Sequence, residues 1–112
     1  DLYMKNDVFV QKTTDLILNS MSKKKFFIKN YNDCKYVLNN IGDDKLISRI
    51  CKDQNVNKDD LIKKCRKDII TYRVLISKKL SSMDKNSIAV LLDSEDNLKD
   101  FIECIENERK KV

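Results

Sequence analysis

The chain has 112 residues, 41% of them apolar and 37% charged, with a net charge of +5, and it contains no His, Pro or Trp, one Gly (Gly42) and one Ala (Ala89). Without His it lacks the side chain that most often moves protons near neutral pH, and without Gly-rich turns it cannot wrap backbone amides around a phosphate. Conventional catalysis is therefore not expected.

This length fits one domain, and the apolar content suffices for a single core. Residues 1–112 are expected to form a single helical domain, and the opening at Asp1 rather than Met points to a segment of a longer protein. Abundant Lys, Asn, Ile and Asp with scarce Ala, Gly, Pro and Arg is the pattern of AT-rich codons, so the excess of Lys is partly genomic. Residues 1–60 carry a net +2 and residues 61–112 a net +3, so neither half is a basic arm. The longest uncharged runs, Leu16 to Ser22 and Asn86 to Leu92, have seven residues. A bilayer needs about 20 apolar residues, so no membrane span is expected. An intracellular location, cytoplasmic or nuclear, follows, with secretion the alternative should the cysteines pair.

The apolar residues fall at helical spacing throughout. From Asp7 to Met21, Phe9, Leu16, Ile17 and Met21 recur near a helical period, with Val8, Val10 and Leu18 beside them and Asp7 placed to cap the start. Ser22 to Tyr31 is read as a short helix capped by Ser22. Asn32 or Asp33 then caps a segment with Cys34, Val37, Leu38 and Ile41 on one face, and Gly42 stands where a left-handed C-terminal residue belongs. Asp43 and Asp44 open a helix carrying Leu46, Ile47, Ile50 and Cys51, ending between Asp53 and Val56.

Asn57 opens the longest element, residues 58–80, with Asp59 and Asp60 in its first turn and a ladder of Leu61, Cys65, Ile69, Tyr72, Ile76 and Leu80. Ser81 or Ser82 caps a short helix with Met83, Ile88, Leu91 and Leu92. Ser94 caps a last helix with Leu98, Phe101, Ile102 and Ile105 on its apolar face and Arg109, Lys110 and Lys111 at its end. The expected fold is all-α, a compact bundle of five or six helices around the long central one.

The four cysteines, Cys34, Cys51, Cys65 and Cys104, each fall on the apolar face of a different expected helix. Their separations of 17, 14 and 39 residues and the absence of His do not fit a zinc site, and buried free thiols are the expectation. Cys65 sits among Lys63, Lys64, Arg66 and Lys67, which would lower its pKa if it were exposed, but its ladder position directs it inward. The carboxylates at Asp43-Asp44, Asp59-Asp60 and Asp93 to Asp96 all stand at helix starts, where capping accounts for them. No catalytic residue, metal or cofactor is assigned.

Two readings of the surface remain. Ile70 and Val74 lie almost opposite the ladder, at 100° per residue, and interrupt a face that also holds Lys63, Lys67 and Lys78. Either another helix covers this pair or a partner does. Ile70, Val74, Lys67 and Lys78 are accordingly the candidate partner-binding residues of a non-catalytic protein–protein interaction module, whose partner would be another protein or a peptide. The alternatives are a nucleic-acid-binding domain using Lys23, Lys24, Lys25, Lys63 and Lys67, with Phe26, Phe27 and Tyr31 available for stacking, or a disulfide-stabilised helical segment of a secreted or surface protein. Because the charge is modest and evenly spread, nucleic-acid binding is expected to be weak. Finally, Ile41-Gly42 followed by Leu61, Cys65, Ile69, Tyr72 and Leu75 resembles the closing half of the N-terminal helical domain shared by transcription elongation factors. That family carries Trp where this chain has Tyr72, and its first helices do not match. The resemblance implies a scaffold that docks disordered peptides in transcription complexes.

Overall fold

A computed structural model describes residues 2–23, 26 and 28–111, with side chains from residue 8 onward. The described residues form six α-helices and no strand: α1 (Leu2–Met21), α2 (Lys29–Asn39), α3 (Asp44–Gln54), α4 (Lys58–Ser81), α5 (Lys85–Asp93) and α6 (Glu95–Lys111). The 24-residue α4 is the hub, packing against α1, α2, α3 and α6, while α5 rests on α6.

Local chemistry explains most of the boundaries. Asn57 caps α4 by accepting from the Asp60 N–H at 2.8 Å, and Asp43 accepts from Leu46 at the start of α3. Ser94 Oγ accepts from the Asn97 N–H at 3.3 Å to open α6. Each bond satisfies a backbone donor that the first helical turn leaves unpaired.

Elsewhere the expected boundaries are corrected. α1 begins at Leu2, so Asp7 lies within the helix and is not its cap. Among residues 22–28 the described positions form a turn and a short 3₁₀ piece, not a helix capped by Ser22. α2 starts at Lys29, with Ile28 as N-cap; the Asn32 amide donates to the Ile28 and Met21 carbonyls instead of capping. Gly42 does not take a left-handed conformation; that role falls to Asn55, with φ of 55°, at the end of α3. Asp84, not Ser81 or Ser82, caps α5, because α4 runs through Ser81 and the Asp84 carboxylate accepts from Ser87 N–H at 2.7 Å. That bond holds the Asp84 carboxyl below its usual pKa.

The core has two parts. The larger gathers Ile17, Leu18 and Met21 of α1, Tyr31, the inward face of α4 from Tyr72 to Leu80, and the apolar faces of α5 and α6. The smaller joins Cys34 and Val37 of α2 to Ile47 of α3 and Leu61 and Cys65 of α4. Ile69 touches both, so the ladder of α4 forms one spine through the molecule.

Four expected core residues are outside it, the first being Val8 at 51% exposure. Leu16 and Leu92 each precede or follow a buried neighbour by one position, about 100° around the helix, and both are exposed. Cys104 is exposed for the same reason, lying about 100° from buried Ile105. On α1 the inward stripe is completed by Thr13 and Thr14, whose hydroxyls donate to the Phe9 and Val10 carbonyls and so enter the core without unpaired polar atoms.

Candidate interaction face

The helices around α4 cover it on one side only. Tyr72, Ile76 and Leu80 are fully buried, whereas Ile70 and Val74, one turn apart on the opposite side, are 59% and 55% exposed. No helix of the described structure covers this pair.

The surroundings of the pair are basic. Between Leu61 and Ser81 the helix carries seven Lys and Arg residues and a single carboxylate, Asp68. Asp68 is turned towards α2, where its Oδ2 accepts from the Asn30 amide at 3.3 Å and faces the Cys34 thiol. Lys63, Arg66, Lys67 and Lys78 are exposed. By helical geometry Lys63 continues the line of Ile70 and Val74, with Arg66 on one flank and Lys67 and Lys78 on the other. Arg73 borders the same face and is engaged by α1, donating to Asp15 Oδ1 at 2.8 Å. Ser77, next along that edge, shares a hydrogen bond with buried Thr14. Contacts to α1 thus mark one edge of the open face.

The other exposed large apolar residues, Val8 and Leu16 on α1, Tyr36 on α2, and Val90 and Leu92 on α5, do not form a comparable one-turn pair. Singly exposed apolar residues are ordinary in folded proteins.

The alternative basic site is not assembled in the same way. Lys23 is exposed, while Lys24 and Lys25 lie outside the described residues. Phe26 and Tyr31 are buried in the core, so neither offers a face for stacking on a base, and Phe27 also lies outside the described residues. Arg109, at the end of α6, is not a free basic residue either: it donates to Glu106 at 3.3 Å and lies over the Tyr72 ring.

One polar cluster was invisible to helical periodicity. Tyr72, at the centre of α4, donates to the Glu106 carboxylate, accepts from Asn30 and meets Tyr31 edge to face at 5.5 Å. Burial, with the neighbouring carboxylate next in weight, pushes the Tyr72 hydroxyl pKa well above 10. The cluster ties α2, α4 and α6 together. Among the described residues, no three His, Cys, Asp or Glu side chains are grouped so as to hold a metal ion, and no helix is long and apolar enough to cross a membrane.

The thiols sort by depth. Cys34 and Cys65, far apart in sequence, are brought into the same small core cluster between α2 and α4. Burial first, and then the Cys65 neighbour, raises the Cys34 thiol to about 12. Burial also raises Cys65, so the basic residues around it in sequence do not activate it. With an alkylating reagent at neutral pH we expect Cys104 to react first, Cys51 more slowly, and Cys34 and Cys65 only at the rate of unfolding. Mass mapping of the labelled sites would check the order; rapid labelling of Cys65 would contradict its inward placement.

No protein-family model, curated protein or solved structure matches the chain. The partial resemblance of residues 41–75 to transcription elongation factor domains thus has no family match behind it.

Proposed function

We propose that this chain is a non-catalytic protein–protein interaction module of a larger intracellular protein, and that the outer face of α4 is its docking surface. The observation that carries the reading is the one-turn apolar pair Ile70 and Val74, exposed at the middle of the helix that organises the whole bundle. An apolar pair within a polar rim is the arrangement of a binding surface, and a rigid hub helix presents it at little ordering cost. Lys67 and Lys78 would supply part of the rim.

A photo-crosslinking residue at position 70 or 74, with position 90 as an exposed apolar control, tests this in cells producing the full protein. We expect a discrete protein adduct from 70 and 74 and none from 90. Identical adducts from all three positions, or adducts to nucleic acid alone, would count against the reading.

The nucleic-acid alternative keeps support from Lys63 and Lys67, which share the exposed face, but not from Phe26 and Tyr31, which are buried. Binding through such a face would be weak and would collapse with added salt. The secreted alternative would need paired cysteines; Cys34 and Cys65, which share the smaller core cluster, are the pair it would use, and all four thiols are free in this structure.

A further inference from the structure

The charge around the Ile70 and Val74 pair specifies more than a generic protein partner. From Lys63 to Lys78 the outer face of α4 extends about 22 Å, at 1.5 Å per residue, and carries basic side chains on both sides of the apolar pair. Its one carboxylate points away, into the contact with Asn30. Among the described residues none of Lys63, Arg66, Lys67 and Lys78 has an ion-pair partner; Asp59, one turn before Lys63, and Glu108 of α6, which lines a hollow with Lys78, offset the charge only at the two ends of the strip, and Arg73 at the margin already has Asp15.

We infer that the occupant of this face is an acidic amphipathic helix, contributed by another protein, that sets two apolar side chains spaced three or four residues apart against Ile70 and Val74 and aligns carboxylates with Lys63, Arg66, Lys67 and Lys78. This rests on the docking reading above and names the partner's chemistry. Each partner helix turn returns a side chain to the same face, so an i, i+3 or i, i+4 pair matches the one-turn spacing of Ile70 and Val74. Carboxylates beside that pair meet the basic flanks and steer the encounter.

Other occupants fit less well. Phosphates gain nothing from a β-branched apolar centre, and for stacking on bases the face offers no aromatic plane and only one guanidinium without an ion-pair partner, Arg66. A membrane-surface helix uses a broad apolar face rich in Trp, Phe or Leu, and this strip has two β-branched residues. A second copy would have to bring its own α4 face against a surface of the same charge.

The test is selection from a displayed library of helical peptides of about 16 residues, roughly 24 Å long, on the immobilised chain, with the double variant Ile70→Asp, Val74→Asp as counter-selection. We expect the enriched pool to be rich in Asp and Glu around two apolar residues three or four apart. A selected peptide should bind Ile70→Asp roughly thirtyfold more weakly, the scale of an interface hot spot. It should weaken similarly on Lys67→Glu with Lys78→Glu, and a peptide with Lys in place of its acidic residues should recover binding to that variant. An enriched pool that is neutral or basic, no enrichment over the counter-selection, or polyacidic peptides that bind Ile70→Asp undiminished would overturn the inference. So would tighter binding of single-stranded DNA or anionic vesicles than of any selected peptide. If the inference fails while position 70 still crosslinks to a protein, the docking face stands and only the partner chemistry is wrong; if both fail, the face itself is wrong.

Discussion

Replacing Tyr72 with Ala should remove a large share of the protein's folding stability. The side chain is fully buried, packs edge to face on Tyr31, and links α4 to Glu106 of α6 and Asn30 of α2. Truncating a buried aromatic residue costs about 3–5 kcal/mol, and here the Glu106 carboxylate also loses one of its two donors, keeping Arg109. A domain of this size has about 5–15 kcal/mol in total. Tyr72→Phe keeps the packing and removes only the hydroxyl, so it should cost about 1–2 kcal/mol. Urea melts of the two variants would separate the contributions: equal losses would mean that the hydrogen bond, and not the ring, dominates.

The second large effect is a contrast between adjacent residues. Ile69 packs against both halves of the core, whereas Ile70 projects away from it. Ile69→Asp brings a carboxylate into an apolar seam with no partner and should cost several kcal/mol. Ile70→Asp loses little packing, sits among Lys and Arg, and pays mainly a helix-propensity difference of roughly half a kcal/mol. Thermal melts followed by circular dichroism should show Ile69→Asp unfolding far below the parent and Ile70→Asp close to it.

Helical periodicity made the architecture legible because α4 is apolar along one unbroken stripe, and Asp43, Asn57 and Ser94 are strong local caps. The misplaced boundaries came from residues with two plausible roles. Ser81 and Ser82 are good caps by type, yet α4 continues past them and the nearby Asp84 carboxylate is the stronger acceptor. Gly42 permits a left-handed turn, but Asn55 is the residue that adopts one. On α1, Thr13 and Thr14 entered the core because their hydroxyls could bond to their own helix, a choice that hydrophobic spacing does not register.

The candidate face was only half legible. Periodicity placed Ile70 and Val74 opposite the ladder, but whether another helix covered them depended on how six helices pack, which single-helix patterns do not encode. Helical spacing already puts Asp68 on the ladder side of α4, one turn from Tyr72, but its partners Asn30 and Cys34, 38 and 34 residues away, emerged only in the folded chain. The same long-range packing joined Tyr72 to Glu106 and brought Cys34 to Cys65.

If the Ile70 and Val74 side of α4 is kept open for a protein partner, folded Ile70→Asp should lose association with it. The full-length protein carrying this substitution would be compared with the parent for capture of the partner crosslinked at position 70, alongside thermal melts of both. The expected result is a melting curve near the parent's and a loss of capture. Early unfolding would show that Ile70 belongs to the core, and undiminished capture by a folded variant would show that the docking surface lies elsewhere.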